Sequence, residues 1–374
     1  MKIRILFIQE TISSGGVERR RYSLVKFLPK EKYEIKIICT KSLGPLVENI
    51  KEEGVEVIEI GVLSKVWDTD KYKAVLKVIK AYKPHIIHGA VFEGVLLSTI
   101  AGYMGRVPII IAEETSDPQN RSIKASYLLK ILSLIADKFI AIAPNVGNYL
   151  KEVARVSPSK IKVITNGVSL PRPVTFHETT KLRNSLGIQV EDFVIGSVGR
   201  LFDDHKKFTD IIKAISLLSQ RSNIKLLIIG DGKDKEFIKR EAESLGLSRN
   251  LVMVGFQSDT APYYKLMNIF CLASQREGFG LVAAEAMFHE LPVVATKVGG
   301  LQDIVVNNET GILVNANRPE QIATAIDKLF SNQDLIISMG KKGRLRAEKE
   351  YSAERYVKEV EEMYKELLRQ KQII

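Results

Sequence analysis

Cysteine is almost absent from this chain: Cys39 and Cys271 are the only two among 374 residues. Each lies in an apolar run typical of a strand, which predicts buried thiols in a reducing compartment rather than a disulfide framework. Long apolar runs are also lacking, since none approaches the roughly 18 residues of a membrane span. The apolar stretch at the start is too short for a signal-peptide core. We therefore expect a cytoplasmic protein.

Common motifs of catalysis and nucleic-acid binding are missing as well. The sequence has no GxSxG, Walker A or HExxH motif, no zinc-finger spacing and no RNP-type aromatic motif. His85 and His88 are three residues apart in a predicted strand, so their side chains face opposite sides and cannot chelate one metal. We expect neither a metal site nor nucleic acid as a partner. The net charge of +11 favours anionic partners, such as nucleotide phosphates or an acidic membrane surface.

What the sequence does contain is an alternation of short apolar runs with amphipathic segments, which predicts parallel sheets covered by helices. The strand-like runs of the first half are IRILFIQ, YEIKIICT, VEVIEI, PHIIHG, VPIIIAE, KFIAIA and IKVIT. A stretch rich in Pro and Thr, from Val168 to Thr180, predicts a linker. The alternation restarts with DFVIGSVG, IKLLIIGDG, NLVMVGF, IFCLAS, LPVVAT and GILVN. The predicted class is α/β, with two doubly wound parallel-sheet domains.

The expected bounds of these domains are residues 1–168 and 169–352, followed by a helix within 353–374 that packs back toward the N-terminal domain. This helix has apolar residues at helical spacing, namely Tyr356, Val360, Met363, Tyr364 and Leu367. Ligands of open parallel sheets bind outside the carboxyl ends of the strands. We therefore expect the functional site at such loops, in a cleft between the two domains.

The most informative stretch is SQREGFGLVAAEAMFHELPVVATKVGG, residues 274–300. Gly278, Phe279 and Gly280 follow a predicted strand and form a turn that opens a helix near Leu281. The first amides of a helix are unpaired and carry partial positive charge. A diphosphate can be held there without bulky side chains in the way.

Two glutamates, Glu277 and Glu285, lie at the ends of this unit. At a helical rise of about 1.5 Å per residue they are about 12 Å apart. That is too far for the paired carboxylates of glycosidases, which lie about 5 to 9.5 Å apart. The spacing suits a long ligand, with one carboxylate at sugar hydroxyls and the other at ribose hydroxyls. The alternative is a pair of solvated surface acids, against which the glycine-rich context argues.

Two further loops predict contacts to the same kind of ligand. Arg200 and Lys206 follow the first strand of the second half and can neutralise a diphosphate, although they could equally belong to a basic surface loop. Gly15 and Gly16 follow the first strand of the chain and allow the backbone to approach a phosphate or a sugar. A plain tight turn is the alternative there. The dinucleotide fingerprint GxGxxG is absent.

These stretches resemble glycosyltransferase family 4, which has the GT-B fold of two Rossmann-like domains facing a cleft. EGFGLVAAE matches the EX7E motif of the family, GRL and the lysine after it match the diphosphate-binding pair, and GGVE matches the N-terminal glycine loop. Further matches are VITNGV, IIGDG, and VGF with the following YY. The resemblance covers nearly the whole chain.

The resemblance implies a retaining transfer of a sugar from a nucleotide sugar, most often a UDP-sugar, to a glycan or polyprenyl-linked acceptor, without metal or cofactor. Arg200 and Lys206 would hold the diphosphate, which accepts the proton of the acceptor as it leaves. Glu277 would contact the sugar and Glu285 the ribose. The alternatives are a GT-B nucleotide-sugar epimerase and a catalytically silent subunit.

The chain departs from the family pattern at three places. Glu113, Glu114 and Thr115 stand where many members have a histidine near the donor sugar. Glu290 replaces a glycine at the end of the EX7E helix, where a left-handed residue other than glycine costs about 1 kcal/mol. Lys207 replaces a common glycine beside the diphosphate-binding lysine.

A predicted helix within residues 121–138 combines an apolar stripe with basic residues. The basic residues are Arg121, Lys124, Lys130 and Lys138. With the basic run Arg19, Arg20 and Arg21 in the same half of the chain, they predict docking on an anionic membrane surface. The alternative is a helix packed on its own sheet through Leu128, Leu129, Leu132 and Ile135.

Overall fold

The computed structural model describes residues 2–13, 15–63, 65–115, 122–221 and 223–374. The chain divides into two compact units. Unit 1 contains residues 1–169 and 353–374, and unit 2 contains residues 170–352.

Unit 1 is built on a seven-stranded parallel sheet with the order β3-β2-β1-β4-β5-β6-β7. Its strands are β1 (Ile3–Ile12), β2 (Tyr33–Ser42), β3 (Glu56–Glu59), β4 (Ile86–Ala90), β5 (Ile109–Glu114), β6 (Lys138–Ala141) and β7 (Ile161–Val163). Its helices are α1 (Gly16–Phe27), α2 (Pro45–Glu52), α3 (Thr69–Tyr82), α4 (Val91–Met104), α5 (Ile123–Ile135) and α6 (Pro144–Glu152), with a short 3-10 helix at Pro158–Lys160. Each predicted strand of the first half is present.

Unit 2 is built on a six-stranded parallel sheet with the order β10-β9-β8-β11-β12-β13. Its strands are β8 (Phe193–Val198), β9 (Ile224–Ile229), β10 (Leu251–Met253), β11 (Ile269–Leu272), β12 (Val293–Thr296) and β13 (Gly311–Val314). Its helices are α7 (Phe176–Ser185), α8 (Asp203–Lys206), α9 (Phe208–Ser216), α10 (Lys235–Ser244), α11 (Ala261–Tyr264), α12 (Leu281–Phe288), α13 (Leu301–Ile304), α14 (Pro319–Phe330) and α15 (Gln333–Glu350). The predicted α/β class with two parallel sheets is confirmed.

The strands form where they do because a parallel sheet is covered on both faces, so that its strands are continuous apolar runs. In both units the central strands are fully buried, as β4 and β8 illustrate. The strand order reverses direction between β1 and β4 in unit 1, and between β8 and β11 in unit 2. Loops at the carboxyl ends of such neighbouring strands diverge and leave a crevice, which is where ligands bind in this architecture.

The last helix, α16 (Ala353–Gln370), belongs to unit 1. Its apolar stripe is buried in the unit 1 core, where it packs beside α1. All five apolar positions that the sequence predicts for this stripe are buried, namely Tyr356, Val360, Met363, Tyr364 and Leu367. The 3.6-residue period of an amphipathic helix is sufficient to identify them.

The predicted linker is wrong in its second half, because helix α7 begins at Phe176. The helix starts with a capping box, in which the Thr175 side chain accepts from the Glu178 amide and the Glu178 side chain accepts from the Thr175 amide. None of the α7 residues is buried, so the helix has no apolar period to reveal it. The signal that could have identified it is the spacing T-x-x-E.

Candidate functional site

Two loops of unit 2 meet at the point where its strand order reverses. One follows β8 and carries Arg200 and Lys206, and the other follows β11 and carries Glu277. The backbone joins them, since the Gln275 amide donates to the His205 carbonyl over 2.8 Å. The loops are therefore held side by side by the sheet and by a direct hydrogen bond.

Lys206 and Glu277 form an ion pair across these loops, with Nζ 2.5 Å from Oε2. Ser274 Oγ donates to the same carboxylate oxygen over 3.4 Å. The Lys206 and Glu277 side chains are 20% and 16% exposed, so the pair is shielded but still accessible to a ligand. The structure thus brings two of the predicted site residues together although they lie 71 positions apart. Arg200 is exposed in the same loop and makes no ion pair with any residue that the structure describes.

Helix α8, which carries Lys206, is fixed at both ends. Asp203 accepts from the Thr209 amide and hydroxyl over 3.1 and 2.6 Å. At the other end, Lys207 is a single left-handed residue, with a φ of 51°, that separates α8 from α9. Lys207 is the residue that replaces a common family glycine, so the backbone keeps the conformation that glycine would favour.

The glycine turn after Glu277 opens α12 at Leu281, as predicted. Gly280 has a φ of 106°, and a Cβ there would meet the Leu301 side chain, so both the conformation and the space require glycine. The Phe279 side chain is buried and packs edge-on against Tyr351, with ring centroids 5.6 Å apart. Phe279 can therefore contribute to ligand binding only through its backbone. The Gly278 and Gly280 backbone lies next to the start of α12.

Glu285 lies in the second turn of α12, and Tyr264 OH donates to its Oε2 over 3.1 Å. Glu277 lies before the helix, because α12 starts only at Leu281. The distance of about 12 Å expected from a continuous helical rise is therefore not a valid measure for this pair. The family glycine at the end of the helix is replaced by Glu290, which has a φ of 60°. The left-handed end of the helix is kept in spite of the substitution.

The glycine loop of unit 1 joins β1 to α1, and α1 begins at Gly16. The Glu18 carboxylate closes this loop, since Oε1 accepts from Thr11 Oγ1 over 3.1 Å and from Ser13 Oγ over 3.2 Å. A Cβ on Gly15 would collide with the other oxygen of this carboxylate. A negative charge against the loop opposes binding of a phosphate and favours a neutral hydroxyl-bearing ligand. Of the two ligands that Gly15 and Gly16 could approach, a sugar therefore fits better.

A buried ion cluster lies behind this loop. Arg20 Nη1 is 2.6 Å from Glu113 Oε1, and Arg21 Nη2 is 3.5 Å from Glu113 Oε2. The three side chains are at most 2% exposed. The assignment of Arg20 and Arg21 to a membrane-binding surface is therefore wrong. Arg21 falls at helical spacing with Leu24 and Leu28, a signal that places it on the inner face of α1.

His88 completes this buried cluster. Its Nδ1 faces the Tyr364 hydroxyl at 2.7 Å and Arg21 Nη1 at 3.5 Å, and its Nε2 is 3.3 Å from Glu113 Oε2. Because a guanidinium can only donate, Nδ1 is the acceptor, which places the ring proton on Nε2, on the side of the carboxylate. Burial, then the Arg21 charge, lower the pKa of His88 to about 4, so the ring is neutral near pH 7.

Glu113 is one of the residues at the position of the family histidine, and its carboxylate lies within 3.5 Å of Arg20, Arg21 and His88. Burial by itself raises the pKa of Glu113, but the Arg20 charge, the His88 contact and the Arg21 charge outweigh it and hold the pKa well below the ordinary range. Glu113 is therefore ionised and held by the protein, and a structural role accounts for it. Glu114 is buried as well.

Helix α5 has two distinct faces. Ser126, Leu129, Leu132 and Ser133 are buried, and α5 packs beside α4. A second stripe of Ile123, Tyr127, Ile131 and Leu134 is exposed, with Ile123 at 90% and Leu134 at 77%. Lys124 and Lys130 are also exposed. Arg121, which was predicted to belong to this surface, lies outside the described residues.

Neither a metal cluster nor a membrane-spanning helix is found in the part of the chain that the structure describes. No group of three or more His, Cys, Asp or Glu side chains in this part is arranged to hold a metal ion. No helix there combines the length and the apolar character needed to cross a membrane.

Comparison with known proteins agrees with the geometry of both units. The family model described as Glycosyltransferase Family 4 matches residues 14–172, and the one described as Glycosyl transferases group 1 matches residues 178–346. The Staphylococcus aureus capsular polysaccharide biosynthesis glycosyltransferase CapM is 30% identical over 366 residues, covering 92% of this chain and 93% of that protein.

Two further proteins are similar over nearly the full length. The Escherichia coli UDP-Gal:alpha-D-GlcNAc-diphosphoundecaprenol alpha-1,3-galactosyltransferase is 26% identical over 381 aligned positions, and the alignment covers 97% of this chain and 97% of that protein. The crystal structure of a glycosyltransferase from Rickettsia africae has a TM-score of 0.86 at 25% identity, covering 98% of this chain and 99% of that one. The chain therefore belongs to glycosyltransferase family 4 and has two parallel-sheet α/β domains of the GT-B type.

Proposed function

We propose that this glycosyltransferase transfers a sugar from a UDP-sugar to a glycan or lipid-linked acceptor, with retention at the anomeric carbon and without a metal ion. The observation that carries this proposal is the Lys206–Glu277 pair beside the glycine turn and the start of α12. The activity named for the Escherichia coli relative supports the choice of UDP and of a diphosphate-linked lipid acceptor.

Each group of the site has a role in this chemistry. Arg200 and Lys206 hold the diphosphate, together with the first amides of α12 after Gly280. Glu277 accepts hydrogen bonds from hydroxyls of the donor sugar, and Glu285 accepts them from the ribose. In unit 1, Gly15 and Gly16 let the backbone approach a sugar.

The reaction is a substitution at the anomeric carbon. The bond from this carbon to the β-phosphate oxygen breaks, and the acceptor oxygen forms the new bond on the same face. The acceptor proton moves to the leaving diphosphate, so no enzymic base is needed. Two cations and the helix start compensate the charge that develops on the diphosphate, which is why we propose that no metal is required.

A donor panel tests this proposal. Nucleotide release is measured with UDP-, GDP- and ADP-sugars, each with and without polyprenyl-linked acceptors and with EDTA, and the anomeric configuration of the product is determined by NMR. We expect acceptor-dependent release from a UDP-sugar that survives EDTA and gives a retained anomer. Loss of activity in EDTA that is restored by a divalent ion would contradict metal independence, and an inverted anomer would contradict the mechanism.

The same panel separates the alternatives. An epimerase releases nucleotide or a new nucleotide sugar without an acceptor, and a silent subunit releases nothing. The epimerase reaction requires acids and histidines at the substrate. His88 is fully buried in the ion cluster of unit 1, so it is not available for that role.

The exposed stripe of α5, consisting of Ile123, Tyr127, Ile131 and Leu134, is the proposed contact with an anionic membrane surface. Its apolar side chains would enter the headgroup boundary while Lys124 and Lys130 attract anionic lipids, each basic residue adding about 1 kcal/mol. This placement would bring a lipid-linked acceptor to unit 1. The proposal no longer includes Arg20 and Arg21, which are buried.

Sedimentation with liposomes tests the membrane contact. We expect binding to vesicles with anionic lipid at low salt, weak binding to neutral vesicles, and loss of binding in the double variant Ile123→Ser, Leu134→Ser. The matched control is Leu345→Ser, which removes an exposed leucine from α15 in unit 2. Equal binding to neutral and anionic vesicles, or none at all, would favour a soluble acceptor.

A further inference from the structure

The carboxylate proposed to bind ribose is held by a buried tyrosine. Tyr264 lies at the end of α11 and is 1% exposed, and its single hydroxyl proton is within reach of two acceptors, Glu285 Oε2 at 3.1 Å and the Val282 carbonyl oxygen at 3.4 Å. Both acceptors lie in the first two turns of α12. The tyrosine therefore ties α11 to the helix that opens at the glycine turn.

Aromatic neighbours fix the ring of Tyr264. The His289 ring stacks on it, with centroids 4.8 Å apart and planes 16° from parallel. Phe270, from β11, lies against it with centroids 5.9 Å apart. Burial, then the Lys265 and Arg344 charges, lower the pKa of His289 to about 4, so that this stacked ring is neutral near pH 7. A tyrosine enclosed in this way holds its hydroxyl in one place.

Both glutamates of the EX7E motif accept a hydrogen bond from a neighbouring side chain. Glu277 faces the Lys206 ammonium, whereas Glu285 accepts from a neutral phenol. A neutral donor orients a carboxylate without cancelling its charge. Glutamate has three side-chain torsions, and ordering them on binding costs conformational entropy, which lowers the affinity for the ligand. Pre-orientation by Tyr264 removes that cost.

We propose that Tyr264 is a positioning residue that sets the orientation of Glu285 and thereby the strength of ribose recognition. The inference rests on the proposed function, because it takes Glu285 as the ribose contact of a UDP-sugar. Tyr264 itself does not touch the ligand. Its effect is confined to the ribose hydroxyls and does not extend to the diphosphate, which Arg200 and Lys206 hold.

The test compares nucleotides that differ only in the ribose. Dissociation constants are measured by calorimetry for UDP, 2′-deoxy-UDP and 3′-deoxy-UDP, and for pyrophosphate as a probe of the diphosphate site. In the wild type we expect at least one deoxy analogue to bind about tenfold more weakly than UDP, as expected for a hydrogen bond to a charged group. In Tyr264→Phe we expect this ratio to fall to about threefold or less, with pyrophosphate binding unchanged.

Two variants frame this result. Glu285→Gln should also reduce the ratio, because it weakens the ribose contact directly. Tyr263→Phe removes a hydroxyl from the adjacent tyrosine and should keep the wild-type ratio. If Tyr264→Phe is too unstable for calorimetry, the increase in melting temperature with each nucleotide at equal concentration gives the same comparison, because bound ligand stabilises the folded state by an amount that rises with the logarithm of its affinity.

Each outcome is decisive. A full wild-type ratio in Tyr264→Phe would overturn the positioning role, and so would an equal weakening of pyrophosphate, which would indicate general distortion. A wild type that binds UDP and both deoxy analogues equally would overturn it too, while leaving the sugar transfer intact. A wild type that transfers sugar only from another nucleotide would instead overturn the proposed UDP donor.

Discussion

Replacing Glu113 by glutamine removes the only carboxylate charge that contacts both Arg20 and Arg21 among the described residues. The carboxylate lies 2.6 Å from Arg20 and 3.5 Å from Arg21, and all three side chains are nearly inaccessible to water. A neutral amide occupies the same volume but leaves two guanidinium charges buried without compensation. The substitution therefore isolates the effect of charge from that of packing.

The expected loss in the free energy of unfolding depends on the burial of the ion pair and not on the distance between its charges. Breaking a buried pair by removing one charge costs about 3–5 kcal/mol, because the remaining charge stays desolvated. An exposed pair is worth about 0–1 kcal/mol, because water already solvates both groups. The chain contains a matched example of the second kind, since Lys30 Nζ also lies 2.6 Å from Glu53 Oε2 but at the surface of unit 1. Glu53→Gln is therefore the control.

Thermal unfolding followed by circular dichroism and calorimetry measures both variants. For a domain of this size we expect Glu113→Gln to lower the melting temperature of the unit 1 transition by roughly 10 °C. Glu53→Gln should shift it by about 3 °C or less. Equal shifts in the two variants would refute the argument, because they would show that the buried cluster contributes no more than a surface ion pair.

Three other substitutions are expected to have defined effects. Lys206→Ala should lower turnover at least a hundredfold, which corresponds to about 3 kcal/mol of lost transition-state stabilisation, without changing the melting temperature. The control Lys213→Ala, on the exposed face of α9, should leave turnover unchanged. Turnover of Lys206→Ala within a few-fold of wild type would remove Lys206 from the mechanism. The folded-state pKa of His88, about 4, is below the unfolded value of about 6.5. Between these two pH values the unfolded state binds more protons than the folded state, so the free energy of unfolding falls by on the order of 3 kcal/mol as the pH falls from 6.5 to 4. His88→Gln should flatten this pH dependence in unit 1. An unchanged pH dependence would contradict the assignment of the shift to His88. Glu290→Gly should stabilise unit 2 by about 1 kcal/mol because it relieves a left-handed glutamate, and Glu290→Ala, which keeps the strain, should not.

The strands and the main site loops were predictable because the relevant signals are local. A strand of a parallel sheet is an apolar run, and the turn at Gly278–Gly280 is encoded within a few positions. The position of Lys206 beside Glu277 also follows, since both come after strands whose order reverses. The family itself was recognised from these local motifs.

What the sequence did not reveal depends on partners far away in the chain. Arg20 and Arg21 were interpreted as a surface run because their counter-charge, Glu113, comes about 92 residues later. Tyr264 was part of a recognised motif, but its bond to Glu285 depends on the packing of α11 against α12. Helix α5 was predicted correctly as a helix, but only its surroundings decide which apolar side chains are buried and which remain exposed.

The return of α16 to unit 1 has a consequence for synthesis on the ribosome. Unit 2 is one continuous segment, residues 170–352, whereas unit 1 needs α16 to complete its core. Tyr364 reaches His88 across 276 positions, so the buried ion cluster stays incomplete until all of unit 2 has emerged. During elongation, residues 1–169 therefore expose the apolar groove that α16 later fills. A released chain that ends at Ser352 should contain a folded unit 2 and a unit 1 that is open to proteases and chaperones.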